Sequence, residues 1–213
     1  MATTSYLRSR YAELVKNLTK AQKEAAQWFK AAEQYIARGK PISGHEIMKR
    51  DISRLTPVRR VSARHIGRLI MYFYDPLPLS KKTMSAYDRF PLVIPLQLQQ
   101  STKHGPGFLG MNLHYLPPKL RVAVLDDLYT IYNNKHLNEK RKIRMSYQRL
   151  KREMNNKYYK PTIHMYLFKN LKSRIYMVDP KEWDLTILLP TERFEKQSRS
   201  IVWRESKRKI GMQ

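Results

Sequence analysis

The run Leu69-Ile70-Met71-Tyr72-Phe73-Tyr74-Asp75-Pro76 decides the fold class. Six apolar and aromatic residues closed by Asp-Pro read as a strand and its turn. Two similar runs follow. Phe90-Pro91-Leu92-Val93-Ile94-Pro95-Leu96 is the second, and its prolines predict an edge position, because proline cannot donate to a ladder. Gly105-Pro106-Gly107 turns the chain into the third, Phe108-Leu109-Gly110-Met111-Asn112-Leu113-His114, whose internal glycine predicts a bend or bulge. Residues 173–178 (SRIYMV) supply a fourth strand.

Helical periodicity surrounds these strands. Pro117-Pro118 opens a helix with an apolar stripe of Leu120, Val124, Leu125, Leu128, Ile131 and Tyr132. Residues 139–156 (EKRKIRMSYQRLKREMNN) form another, with a sparse apolar set of Ile143, Met145, Tyr147, Leu150 and Met154. Pro161 is expected to start a short helix carrying Met165, Tyr166 and Leu167, and Asp179-Pro180 a turn or helix carrying Trp183. Pro190-Thr191 begins the last helical stretch, with Thr191 as its cap and Phe194, Ile201, Val202 and Trp203 as contacts. At the other end, residues 5–38 read as one long helix whose stripe runs Leu7, Tyr11, Leu14, Val15, Leu18, Ala25, Trp28, Phe29, Ala32, Tyr35, Ile36. Arg38-Gly39-Lys40-Pro41 stops it. A basic connector follows over residues 41–66, with a short helix near 43–54 and an interruption at Pro57.

These elements predict an α+β fold: a small, mostly antiparallel sheet or half-open barrel flanked by helices, with a long N-terminal helix. The expected division is a helical extension over residues 1–40, a basic connector over 41–67 and a central α+β domain over 68–213. That helix is expected to pack on the central domain or on a neighbouring chain. No internal repeat or low-complexity tract appears.

The chain has 213 residues, with 42 Lys+Arg against 17 Asp+Glu, a net charge of +25. A globule so charged repels itself and calls for a polyanion: nucleic acid, an acidic membrane surface or an acidic protein. The charge is unevenly placed. Residues 1–68 carry net +10 and residues 131–174 net +11, while 69–130 and 175–213 carry +2 each. Two basic segments therefore flank a nearly neutral, apolar centre. No apolar run approaches the ~20 residues of a bilayer span, and the N-terminus lacks a secretory core. A protein made in a cytoplasm, without a membrane partner, is expected.

Composition and spacing argue against several chemistries. With no cysteine there is no disulfide framework, thiolate metal site or cysteine nucleophile. His45, His65, His104, His114, His136 and His164 fall at no metal-ligand spacing, and neither a phosphate-binding glycine loop nor a GxSxG elbow occurs. Asp75, Asp88, Asp126 and Asp179 are the acids worth testing for proton transfer. Asp75 and Asp179 precede prolines and read better as turn residues; Asp126 and Asp127, adjacent on a helix, point about 100° apart. Neither an enzyme nor a cofactor is expected.

Nucleic-acid binding is the best supported chemistry. Lys140, Arg141, Lys142, Arg144, Arg149, Lys151 and Arg152 crowd one helix, with Lys140, Arg144 and Lys151 near one face. Lys157 and Lys160 follow, beside Tyr158 and Tyr159. Core packing is the better reading of those tyrosines and of Tyr147, with stacking on unpaired bases the alternative. Arg59, Arg60, Arg64 and Arg68 form a second patch. Cations at a suitable pitch suffice for phosphate contacts. In the absence of a helix-turn-helix, zinc finger or ribonucleoprotein motif, sequence-specific reading is not expected.

The central blocks MYFYDPLPLSKKTMSAYDRFPLVIPLQ and GFLGMNLHYLPPKLRVAVLDDL, with SRIYMVDPKEW and Trp203-Arg204-Glu205-Ser206, resemble small virion proteins of T4-like tailed phages, those described as DNA end protector or head-completion proteins. The resemblance covers residues 68–205. It implies a virion protein added late in assembly in the host cytoplasm, at the head–tail neck. There it would shield packaged duplex DNA ends from exonucleases among other neck or tail proteins of a multi-subunit assembly. It supplies no catalytic residue. Tyr74, Asp75, Pro76, Tyr87, Asp88, Phe90, Pro91, Gly107, Phe108, Gly110, Asn112 and His114 read as fold determinants, with Asp88-Arg89 as an internal ion pair. The competing reading is a structural tail or baseplate subunit whose basic surface docks on acidic virion proteins.

Overall fold

A computed structural model describes residues 6–38, 55–58, 61–100, 102–154, 159–187, 192–209 and 211. In chain order the elements are α1 (Tyr6–Lys16), α2 (Leu18–Arg38), β1 (Leu55–Val58), β2 (Ile70–Met71), α3 (Pro78–Thr83), β3 (Tyr87–Asp88), β4 (Leu92–Gln99), β5 (Gly107–Asn112), α4 (Pro118–Tyr132), α5 (Glu139–Met154), β6 (Ile163–Leu167), β7 (Ile175–Val178), α6 (Trp183–Ile187), β8 (Phe194–Glu195) and α7 (Arg199–Lys209). Short 3-10 turns link several of them. Six strands form one open antiparallel sheet in the order β1-β7-β2-β4-β5-β6, and β3 pairs with β8 in a separate ribbon.

Strand alternation explains how the sheet is buried on both faces. From the run at Leu69, Leu69 and Met71 join Leu92, Ile94, Leu96, Met111 and Val178 under the helices. Ile70, Tyr72 and Tyr74 point the other way and pack with Val93, Phe108, Tyr166 and Ile175. Period-two alternation sends neighbours to opposite faces, so an uninterrupted apolar run marks a strand apolar on both sides. Tyr72, Tyr74, Phe108 and Tyr166 meet mostly edge-to-face, with centroids 5.0–6.2 Å apart.

The proline-flanked strand is central, not at the edge. β4 lies between β2 and β5. β2 pairs with it only at Leu92 and Val93. By Pro95 the flank has passed beyond β2, and the Pro95 carbonyl accepts from the Gly67 N–H at 3.0 Å. The missing proline donor thus faces a loop where no ladder bond is required, and the register with β5 shifts between Pro95 and Gln97. Gly110 keeps regular pairing on β5, opposite that shift. A Cβ there would sit 2.3 Å from the Val93 side chain and 3.3 Å from the Phe108 ring, so the glycine makes room for the aromatic cluster.

Other expectations are corrected locally. The N-terminal helix is broken at Asn17, a residue that competes for backbone hydrogen bonds and disfavours helix interiors. Val15 and Leu18, assigned to the apolar stripe, flank the break and are exposed. Both helices pack on the rest of the chain. Leu7, Ala25, Trp28, Phe29, Ala32 and Ile36 enter the same core as α4 and the sheet, and Tyr6 stacks on Tyr129 at 5.0 Å. Residues 55–58 are strand β1 on the edge beside β7, with Pro57 opposite Tyr176, where an edge proline is tolerated. The short helix placed near 43–54 and the cap Thr191 lie outside the described residues. The helix expected after Pro161 is a single 3-10 turn leading into β6, because Tyr166 and Leu167 pair with β5. Phe194 is likewise in a strand, and the last helix begins at Arg199.

Candidate nucleic-acid interface

The basic helix α5 starts where Asn138 caps it, its side-chain oxygen accepting from the Arg141 N–H at 2.9 Å. Leu150 and Ser146 are buried against the molecule. At 100° per residue, Lys140, Lys151, Arg144, Arg141 and Arg152 fall within an arc of about 120° on the opposite side. All five are exposed, and none pairs with a carboxylate among the described residues. The remaining two cations of the helix are engaged. Lys142 is half-buried, 3.5 Å from Glu139, and Arg149 pairs with Asp127 of α4.

The second basic patch is brought beside the first. Arg64 is exposed in the 3-10 turn Ala63–His65. Arg68 reaches Glu139 at 2.9 Å, its guanidinium lying 3.8 Å from the Tyr132 ring centroid. Gly67, at φ +80°, lies so close to α5 that a Cβ would meet that of Ser146 at 2.8 Å. The Arg68–Glu139 contact joins residues 71 apart, and sequence spacing carries no sign of it. Lys160 is exposed in a turn packed against α7. Arg59, Arg60 and Lys157 lie outside the described residues. Tyr159 is buried in the core, and Tyr147 is exposed on α5.

A further group of cations lies in residues 175–213, a stretch whose net charge is only +2. Arg204, Lys207, Arg208 and Lys209 are exposed on α7. Five acids between Asp179 and Glu195 cancel them in the block sum, and helical clustering within residues 199–209 was the signal available. Trp203 anchors α7, donating from Nε1 to the His114 carbonyl at 2.8 Å. The Arg121 and Arg199 guanidiniums lie 5.4 and 5.2 Å from its ring centroid.

The four aspartates singled out hold structure. Asp75 pairs with Lys81. Asp126 accepts from the Leu7 backbone at 3.2 Å and faces Arg8 at 3.4 Å. Asp179 accepts from the Lys181 N–H at 2.8 Å. Asp88 does not pair with Arg89, which extends to Glu195 at 3.2 Å. It is buried, 2.6 Å from His114 Nδ1 and 3.1 Å from both the Asn112 amide and the Phe90 N–H. Burial pushes the Asp88 carboxyl up. The charge and hydrogen bond of His114, with the bonds from Asn112 and Phe90, outweigh it and hold the group below the usual carboxylate value.

A depressed carboxylate contributes stability that is present above its unfolded pKa and is lost as pH falls through the folded value. Asp88→Asn is therefore expected to lower stability at pH 7 by about 1.5–3 kcal/mol, the range for a hydrogen bond to a charged group. It should also flatten the loss of stability below about pH 4. Urea midpoints between pH 3 and 7 check this; an acid limb equally steep in both proteins contradicts it.

Among the described residues no three His, Asp or Glu side chains gather as a metal set, and no helix is long and apolar enough to cross a membrane. Fold and charge define a small α+β protein that turns the cationic faces of α5 and α7 to solvent. The family model of the phage T4 terminal DNA protecting protein matches residues 4–209. The chain belongs to that family, and the match takes in α1 and α2, which the resemblance read from the sequence left out. Comparison with curated proteins and with solved structures gives no match.

Proposed function

We propose that this protein binds the ends of packaged duplex DNA through backbone phosphates, without reading sequence, and shields them from exonucleases as a non-enzymatic part of the virion near the head–tail opening. The carrying observation is the solvent face of α5, where Lys140, Arg141, Arg144, Lys151 and Arg152 stand without carboxylate partners among the described residues. The helix is about 24 Å long, the rise of roughly seven base pairs. Arg64 and Arg68 extend this face, and Arg59, Arg60, Lys142, Arg149, Lys157 and Lys160 complete the set of residues proposed to bind phosphates. Family membership supports the end-protecting role.

Binding to linear duplex and to covalently closed circular duplex is measured across a salt series, with exonuclease digestion of the linear form in parallel. The expected result is affinity for both forms that falls steeply with salt, and persistence of the linear ends. Negligible affinity at moderate salt would overturn the proposal. The cationic face would then be a docking surface for acidic virion proteins, a role that exposed Met145 and Tyr147 on the same helix would also suit.

A further inference from the structure

Away from α5, a cavity of about 460 Å³ opens beside β6, between the aromatic face of the sheet, α3 and the loop before β5. That volume lies in the range of small-molecule sites. Its walls include the rings of Tyr74, Tyr87, Tyr115 and Tyr166. His164 of β6 also lines it, its ring 4.6 Å from that of Tyr115. The Nε2 atom of His164 is buried and has no hydrogen-bond partner among the described residues. A buried polar atom without a partner is costly in a folded protein, so its presence on a cavity wall asks for a ligand group. Burial pushes the His164 imidazole down to about 4, with Asp88 opposing and Lys209 adding to the effect. Near neutral pH the ring is uncharged, with one nitrogen a donor and the other an acceptor. Asp88 also lines the cavity, but its oxygens are taken by His114, Asn112 and the Phe90 N–H. The exposed lining residues are cationic or basic: Lys103 and His104.

Flat aromatic walls, a neutral hydrogen-bonding edge and a cation at the rim match one ligand chemistry, a nucleobase with its phosphate. We infer that this cavity captures the base of an unpaired terminal nucleotide, inserted among Tyr74, Tyr115 and His164, with its phosphate toward Lys103. The inference rests on the end-binding role proposed above and adds what the cationic helix lacks, a means of telling an end from the middle of a duplex. Phosphate contacts are alike at every position along DNA, whereas only an end or a frayed strand presents a free base at little unpairing cost.

The test uses the full chain and three otherwise identical duplexes: blunt, with one unpaired terminal 2-aminopurine nucleotide, and with one unpaired terminal abasic nucleotide. The expected result is roughly tenfold tighter binding of the base-bearing overhang than of the abasic one, the scale of one stacked base, with a change in 2-aminopurine fluorescence. His164→Phe keeps an aromatic ring and removes both nitrogens. It is expected to cut that preference several-fold, because the hydrogen-bonding edge is lost while stacking remains, and to leave blunt-duplex affinity unchanged; Lys103→Ala is expected to reduce the preference. Adenosine 5′-monophosphate should reverse the fluorescence change only at concentrations far above that of the overhang duplex. Equal binding of base-bearing and abasic ends overturns the inference and leaves end binding standing. Displacement by the free nucleotide at lower concentration than the overhang also overturns it, making the cavity a free-nucleotide site. Absence of binding to all three duplexes removes the end-binding role itself, and the inference with it.

Discussion

Replacing Lys140, Arg144 and Lys151 together by glutamine is expected to weaken duplex binding by roughly 10²–10³-fold near 0.1 M salt. These three lie within about 40° of one another on α5 and are all exposed. Each phosphate neutralised contributes a slope of about −0.9 in log affinity against log salt, so removing three should flatten the slope by about 2.7. The fold should be untouched, because the side chains project from the face opposite Leu150 and Ser146 and make no ion pair among the described residues. Titration of both proteins with duplex DNA at several salt concentrations checks both numbers. An affinity within a few-fold of the wild type would move the interface elsewhere, and the exposed cations of α7 would be next to test. Replacing Arg149 in the same helix should act differently. Its guanidinium is tied to Asp127, so stability should fall along with any change in binding.

The second large effect concerns the anchoring of α7. Arg121 on α4 is wholly buried, donates from Nε to the Leu116 carbonyl at 2.7 Å and pairs with Glu192. Burial pulls the Arg121 guanidinium down and Glu192 opposes that pull. Glu192→Ala would leave a buried charge without its carboxylate, a loss of about 3–5 kcal/mol. For a chain of this length that is a drop of roughly 6–20 °C in Tm. Glu192 also faces Arg199 at 3.5 Å, and both guanidiniums lie over the Trp203 ring, so α7 should loosen first. Thermal unfolding measures the first effect, and hydrogen exchange of the α7 backbone amides measures the second. The double substitution Arg121→Met with Glu192→Leu should recover most of the loss, because a buried pair can be replaced by apolar side chains of similar volume at little cost. A full-strength Tm for Glu192→Ala alone would show that the pair is not buried as described.

The amount legible in the sequence varied with the range of the interaction. Helices α4 and α5 were readable because their signals are local: prolines at the first turn of one and a continuous cationic stretch in the other. The runs at Leu92 and Phe108 are readable as strands because alternate residues fill two cores, whereas the run at Leu69 is a strand only at Ile70–Met71 and continues as extended chain to an isolated bridge at Tyr74. The order of the strands was not. Edge placement of the Leu92 run followed from its prolines alone, and it failed because β2 is only two residues long and spares Pro95 a ladder partner. The turn after Pro161 misled for a related reason. The tyrosine and leucine that follow have an apolar pattern too short to separate helix from strand, and pairing with β5 decides between them.

The candidate site divides along the same line. Which residues are cationic, how they cluster along α5 and how little acid accompanies them are properties of the chain itself, and they point to a polyanion without reference to the fold. So was the aromatic, proline-punctuated centre that carried the family resemblance. Only the tertiary structure brought Arg64 and Arg68 against α5, gave Asp88 to His114 in place of Arg89, and left His164 Nε2 on a cavity wall without a hydrogen-bond partner among the described residues. Composition and periodicity are sums over neighbours in the chain, whereas these contacts join residues 26 to 71 apart in sequence or depend on the space between three elements. Packing alone selects among the many partners that such distances allow.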